Sequence, residues 1–273
     1  PAYMKALRDR LAAKKIPIHV DGARLFNAAI ALGVPARDLV RDAASASFCL
    51  SKGLAAPIGS VVVGSEEFIW SARRARKLLG GGMRQVGILA AAGLVALSDG
   101  PEGTVQRLAD DHANARRLAE AMTEMPGVLS PGHIAQPIGE RLDPARVATN
   151  FVLFKVEGGM KRRAKFLEQL EKRGVLMVAY PHGQIRAVTH YGIGDAEIDA
   201  TIAATREALR EIALNAALDV AREAAKGVKI ANRSECPACL DFNTQMNLPE
   251  SLEFYLDQAN GQIFCDGSKP LPE

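Results

Sequence analysis

The 273 residues are 48% hydrophobic and 24% charged, which excludes intrinsic disorder as the dominant state, since its mark is low hydrophobicity with high net charge. A net charge of +3 with only 5% aromatic residues is too weak a footprint for a nucleic-acid binder. The longest apolar run, residues 87–97, is too short to span a bilayer, and four cysteines in so long a chain build no disulfide scaffold, which points to a reducing, cytoplasmic compartment.

The chain opens on PAYMKALRDRLAAKKIP, which reads as a charged amphipathic helix over 3–14 and not as a signal peptide. That helix is entered directly from Pro1, so an N-terminally truncated chain is expected. A short apolar strand over 16–20 follows, then a helix over 25–32 closed by Gly33-Val34-Pro35. Strands over 45–50 and 60–64 flank a turn-rich connection, and this alternation predicts a layered α/β domain. From residue 71 the pattern is helical. A basic stretch over 73–79 is broken by Gly80-Gly81-Gly82, and an alanine-rich helix over 84–97 is expected to be buried. Val105, Leu108, Ala113, Leu118 and Met122 recur at helical spacing, which predicts an exposed amphipathic helix over 104–125. A strand over 150–156, a helix over 160–172, strands over 175–179 and 185–188 and a helix over 195–212 read as a small α+β domain. Residues 213–228 could extend that last helix; 215–273, with Cys236, Cys239 and Cys265, reads as an appendage whose part from 236 onward shows no clear period.

Two strand ends carry candidate chemistry. Asp21 ends one apolar strand and Lys52 follows another, and ligands of open α/β sheets sit beyond the carboxyl ends of the strands. Taken singly, Asp21 fits a helix N-cap and Lys52 a solvated surface amine. Taken together they have a specific use: a lysine can form a Schiff base with an aldehyde, and pyridoxal phosphate, the common aldehyde cofactor, needs an acid beside its pyridine nitrogen. Arg24 lies three residues beyond Asp21, and Arg186 interrupts an apolar strand, where it either pairs with a carboxylate or marks an edge strand. The glycine triplet, flanked by Lys77 and Arg84, reads either as an anion-binding approach to the next helix or as a flexible turn.

These segments resemble a known family. HVDGARLFNA (19–28), CLSKGLAAPIGS (49–60), RKLLGGGMRQ (76–85) and RAVTH (186–190) look like the low-specificity threonine aldolases of the β-eliminating lyase group, in the same order and at the same spacing, from the first residues to about residue 212. The resemblance implies the aspartate-aminotransferase-like fold (fold type I of pyridoxal-phosphate enzymes), with part of the large domain in 1–103 and a connecting helix and small C-terminal α+β domain in 104–214. It implies that Lys52 binds the cofactor aldehyde, that Asp21 pairs with the pyridine nitrogen and that Ala23 packs on the ring. Arg24 and Arg186 would hold the substrate carboxylate. Lys77 and Arg84 would reach the cofactor phosphate of a neighbouring subunit, so a homodimer or homotetramer is implied. The implied reaction cleaves threonine-like β-hydroxy-α-amino acids to glycine and an aldehyde.

The sequence also departs from that family. Its glycine-rich phosphate cup and ring-stacking histidine have no counterpart, because none of His19, His112, His133, His182 and His190 matches the histidine's position. Weak cofactor binding and little activity are therefore expected of this chain. Another pyridoxal-phosphate β-eliminating lyase, or a non-catalytic remnant whose tail binds metal or a partner, are the alternatives. The Cys236-Pro-Ala-Cys239 spacing with Cys265 and Asp266 would make an unusual zinc site, and free thiols are the other reading.

Overall fold

The computed structural model describes residues 1–98, 103–132 and 140–225 and three short strands at 254–257, 262–265 and 269–270. These divide into two compact units, Pro1–Arg206 and Glu207–Glu273. Helix α1, Ala2–Ala12, has no buried residue, and an ion pair between Arg8 and Asp42 joins it to the body of the first unit.

Strand β1 is His19–Asp21, shorter than the expected 16–20. Pro17 has no N–H to give a ladder, which keeps the pairing from starting earlier. Helix α2, Leu25–Leu32, ends at Gly33, whose φ of 63° is the left-handed cap that glycine accepts without steric cost. A short helix α3, Ala36–Val40, entered at Pro35, was not foreseen. Strands β2, Ser45–Cys49, and β3, Ser60–Gly64, complete a three-stranded sheet of order β1-β2-β3, with β1 parallel and β3 antiparallel to β2.

Helix α4, Glu66–Leu78, begins five residues before the expected position. Ser65 explains the start: its Oγ accepts the Phe68 N–H at 3.3 Å, and Glu66 and Glu67 place negative charge in the first turn. Helix α5, Gly87–Ala96, overturns the expectation of a buried helix, because only Gly93 and Ala96 are buried. Ile88 is 83% exposed and Leu94 74%. An apolar helix needs partners on several sides, and the described residues supply one side only.

Helix α6, Leu108–Thr123, starts four residues later than expected and shows the expected amphipathic pattern, with Leu108, Leu118 and Met122 buried and Val105 buried just before it. It buries Leu108, Asp111, Ala115, Leu118, Ala119 and Met122 along one face, while Ala113, expected on the apolar stripe, is exposed. The unforeseen strand β4, Val128–Leu129, joins β5, Phe151–Val156. After α7, Gly159–Glu171, strand β6 is only Val178–Ala179. The Val175 N–H donates to Leu170 O at 3.0 Å around Gly174 (φ 77°), which closes α7 and leaves the intended strand start outside the ladder. With β7, Ile185–Val188, the second sheet has the order β4-β5-β7-β6.

That sheet explains its own sequence. Val152, Phe154 and Val156 of β5 alternate inward with Ile185 and Ala187 of β7, and Phe154 meets Phe166 of α7 edge-on at 6.1 Å. The opposite face carries Phe151, Leu153, Arg186 and Val188, all half-buried. A separate core under the first sheet joins Leu25, Phe48, Leu50, Leu54, Ala56, Ala96, Val105 and Leu108. Helix α8, Asp195–Ala225, continues past 212 into the stretch over 213–228 that could extend it. Strands β8, Phe254–Asp257, β9, Gln262–Cys265, and β10, Lys269–Pro270, form an antiparallel sheet of order β10-β9-β8. Cys236, Cys239 and Asp266 lie outside the described residues, among which no group of side chains could hold a metal ion. Among them, too, no helix is long and apolar enough to cross a membrane.

Candidate active site

Because β1 and β2 run parallel, their carboxyl ends emerge on the same edge of the sheet. Asp21 is the last residue of β1, and Lys52 follows the end of β2 by three residues. Both are exposed, and neither has an ion pair or side-chain hydrogen bond among the described residues. Asp21 is not a helix cap: the N-cap of α2 is Arg24, without a side-chain cap bond. The chain leaves β1 through Gly22, whose N–H donates to Ser47 O at 2.8 Å, and the Cys49 N–H reaches Ala23 O at 3.4 Å. The half-buried Ala23 is thus pinned between the two strand ends.

The lysine turn is held from several sides. The Ala55 N–H donates to Lys52 O at 2.9 Å and the Ala56 N–H to Leu50 O at 3.0 Å. Ala55 takes a left-handed φ of 59°, a conformation that a non-glycine residue keeps only where its surroundings impose it. Gly53 packs so closely that a Cβ there would lie 2.7 Å from Asn27 Oδ1 and 3.0 Å from Leu108 Cδ2, both on buried residues. Gly53→Ala is therefore expected to lower stability by about 1–3 kcal/mol, the usual cost of overpacking, read as a lower melting temperature in calorimetry.

Arg24 and Arg186 come together from opposite ends of the unit. The Arg24 guanidinium carbon lies 4.2 Å from the centroid of Phe151, and that of Arg186 lies 5.7 Å from the same ring and 5.2 Å from Tyr180. Burial and the neighbouring positive charge of Arg186 hold Arg24 below the ordinary guanidinium value, with Cys49 acting weakly the other way. The Nε atoms of both arginines are buried without a hydrogen-bond partner. No carboxylate pairs with either arginine among the described residues. Two converging cations on an aromatic floor, with unspent donors, form a site for a carboxylate. The edge-strand reading of Arg186 does not hold, since β7 lies between β5 and β6.

The glycine triplet closes α4, where the Gly81 N–H donates to Arg76 O at 2.8 Å, and does not abut the helix that follows. Helix α5 starts only at Gly87, beyond an irregular stretch in which Gln85 has a φ of 54°, so the expected helix-start anion site is absent from residues 80–84. Lys77 and Arg84 are exposed on either side of this stretch. Phe151 and Tyr180, the aromatic lining, are not among the expected site residues; the signal that could have found Phe151 is the alternation along FVLFKV, which sets it on the face of Lys155 and opposite Val152, Phe154 and Val156. An open cleft of about 630 Å³ lies beyond the lysine turn, lined by Ala55, Pro57, Val95, Arg107 and Tyr191 among others, and none of the expected site residues lines it.

A family model described as beta-eliminating lyase matches residues 1–157. Low-specificity L-threonine aldolase 1 of Arabidopsis thaliana is 43% identical over 187 residues, covering 68% of this chain and 48% of that protein. Low specificity L-threonine aldolase of Escherichia coli K12 is 37% identical over 196 residues, covering 72% of this chain and 52% of its own length. The chain thus spans about half the length of the curated relatives it matches. A PLP-dependent aminotransferase from Streptococcus suis shares the fold, with a TM-score of 0.56 at 19% identity over 77% of this chain and 53% of that one. By the match across 1–157, which contains both strand ends and Arg24, the chain belongs to the beta-eliminating lyase family.

Proposed function

We propose that the chain contributes to pyridoxal-phosphate-dependent cleavage of threonine-like β-hydroxy-α-amino acids to glycine and an aldehyde. The observation that carries this reading is the convergence of Arg24 and Arg186 on Phe151, with buried Nε atoms that no group among the described residues satisfies. The residues present fit the cofactor: an amine at Lys52 and a carboxylate at Asp21, both without partners among the described residues, leave one sheet edge. When bound, pyridoxal phosphate supplies an electron-accepting ring that takes up the electron pair left as the Cα–Cβ bond breaks. Lys52 anchors the cofactor through its amine. Asp21 holds a proton on the pyridine nitrogen, Ala23 supports the ring, and Arg24 and Arg186 clamp the substrate carboxylate.

In this reading residues 1–103 belong to the cofactor domain, 104–214 to the connecting helix and small domain, and 215–273 to an appended tail. The protein is cytoplasmic, in keeping with the free thiol of Cys49. The family's glycine-rich phosphate cup and ring-stacking histidine have no counterpart in this sequence, so this chain binds the cofactor weakly and turns over little. Absorbance titration with pyridoxal phosphate, borohydride reduction and peptide mapping test the reading. A label on Lys52 supports it, and labels scattered equally over exposed lysines overturn it.

The apolar face of α4 and α5 is the surface of a homo-oligomer, covered by a second copy. Trp70, Leu78, Leu79, Ile88, Leu94 and Val95 are each at least 59% exposed, and large apolar side chains left in water in such number favour cover by a partner. In this reading the exposed Lys77 and Arg84 serve a neighbour's phosphate. Ile88→Lys with Leu94→Lys is expected to halve the mass or reduce it to a quarter in light scattering after size exclusion. An unchanged mass would remove the second copy from this face.

A further inference from the structure

A buried ion pair stands on the far side of the lysine turn. Arg107, the residue before α6, donates through Nη1 to Asp111 Oδ1 at 2.8 Å and through Nη2 to Gly53 O at 2.9 Å. Its guanidinium also lies 5.2 Å from the Tyr191 ring. Asp111 is 1% exposed, and its own carbonyl accepts the Thr189 hydroxyl at 2.6 Å. Thr189 directly follows β7, the strand that carries Arg186, and its N–H donates to Asn150 O at 3.1 Å. One chain of contacts thus runs from the carbonyl of Gly53, the residue after Lys52, through Arg107 and Asp111, to the strand that presents the carboxylate clamp.

From this arrangement we propose that Arg107 and Asp111 are positioning residues, a strut that fixes the Lys52 turn against the end of β7. The inference deepens the functional reading above and rests on Lys52 being the reacting amine.

The energetics favour a positional role over a stabilising one. Arg107 Nε and Asp111 Oδ2 are both buried without partners, so neither charge recovers its full hydration. Burial pushes the Asp111 carboxyl up, while the hydrogen bond and charge of Arg107, and more weakly His112 and His190, pull it down. Replacing such a pair with apolar side chains of similar volume often leaves a fold as stable or more so, whereas the planar guanidinium fork fixes two acceptors at once. A lysine at 107 would keep the charge but present a single compact ammonium, which does not reproduce that fork. Gly53 completes the lock, because its Cα packs against Asn27, whose amide lies 3.1 Å from His112 Nε2 one residue beyond Asp111.

Amide hydrogen exchange of the full chain without cofactor tests the strut. In Arg107→Met/Asp111→Leu, which removes both charges together, exchange at Ala55 and Ala56 is expected to rise at least tenfold. Amides of β5 and β7 are expected to keep their rates. Arg107→Lys, which retains the charge, gives the same local rise and keeps the conclusion open to test should the double variant not fold. Unchanged exchange at Ala55 and Ala56 overturns the strut. So does a uniform rise that includes β5 and β7, because the pair would then serve the core as a whole. Borohydride labelling of the unsubstituted chain is run alongside. A Lys52 that takes no label overturns the functional reading and its positioning role together, whereas unchanged exchange with a labelled Lys52 overturns the strut alone.

Discussion

Lys52→Ala is expected to abolish the borohydride-fixed pyridoxal phosphate label, a loss of more than 100-fold at that peptide, even at millimolar cofactor. The difficulty in such an experiment is background, since the chain has many exposed lysines and any amine reacts slowly with an aldehyde. Two features separate the site from that background. Asp21 leaves the same sheet edge as Lys52 and offers a carboxylate to a protonated pyridine ring, which no isolated surface lysine has. The turn that carries Lys52 is also held by the bonds to Lys52 O and Leu50 O and by the tight seat of Gly53. The label should therefore saturate at one per chain and fall to the scattered background in Lys52→Ala. Asp21→Asn should leave the label but raise the cofactor concentration needed to reach half of it. Total label undiminished in Lys52→Ala would remove this lysine from the chemistry.

The residues that the sequence made legible are those tied to strand ends. Ser45, Ser60 and Leu25 begin their elements at the expected residues, because β-branched runs, apolar periodicity and Gly33 give local signals that tertiary packing does not override. Where the expectation failed, a competing bond took the backbone: Val175 closes α7 when the pattern alone would begin a strand, and Ser65 starts α4 early. Helix α5 is exposed where burial is expected, whereas α6 buries the expected Leu108, Leu118 and Met122 but turns Ala113 to solvent. Their composition shows how much apolar surface each has but not how many neighbours the chain supplies. For α6, the buried Asp111 breaks the rule that a charge faces water, and only the structure shows Arg107 beside it. The site follows the same division. Asp21, Lys52 and Arg24 lie near one another along the chain or at the ends of neighbouring strands, whereas Phe151 and Tyr180 reach Arg24 and Arg186 only through packing of the second sheet against the end of the first.

Arg186→Met is expected to weaken binding of the amino-acid substrate, measured as KM or as Kd in the cofactor-loaded protein, by roughly 30-fold to several-thousand-fold. This is the scale of about 2–5 kcal/mol for removing one partner of a buried, hydrogen-bonded charge pair. The decisive comparison is with stability. If Arg186 were a structural residue, its removal would lower the melting temperature along with affinity. The arrangement predicts otherwise. Arg186 makes no ion pair among the described residues, its Nε lacks a partner, and its charge acts unfavourably on Arg24. Losing its contacts with Phe151 and Tyr180 costs about 0.5–2 kcal/mol, and relief of the repulsion and of the unsatisfied donor offsets this. The melting temperature should accordingly shift by no more than a few degrees, and upward as readily as downward. Added inorganic anion should protect the unsubstituted chain against heat and have a smaller effect on the variant, since the two cations hold carboxylate-like charge only together. Arg24→Met should mirror Arg186→Met, and combining the two should cost much less affinity than the sum of the single losses, because both act on one carboxylate. Full additivity, or a large drop in melting temperature without loss of affinity, would assign the two arginines to the fold and leave the carboxylate without its clamp.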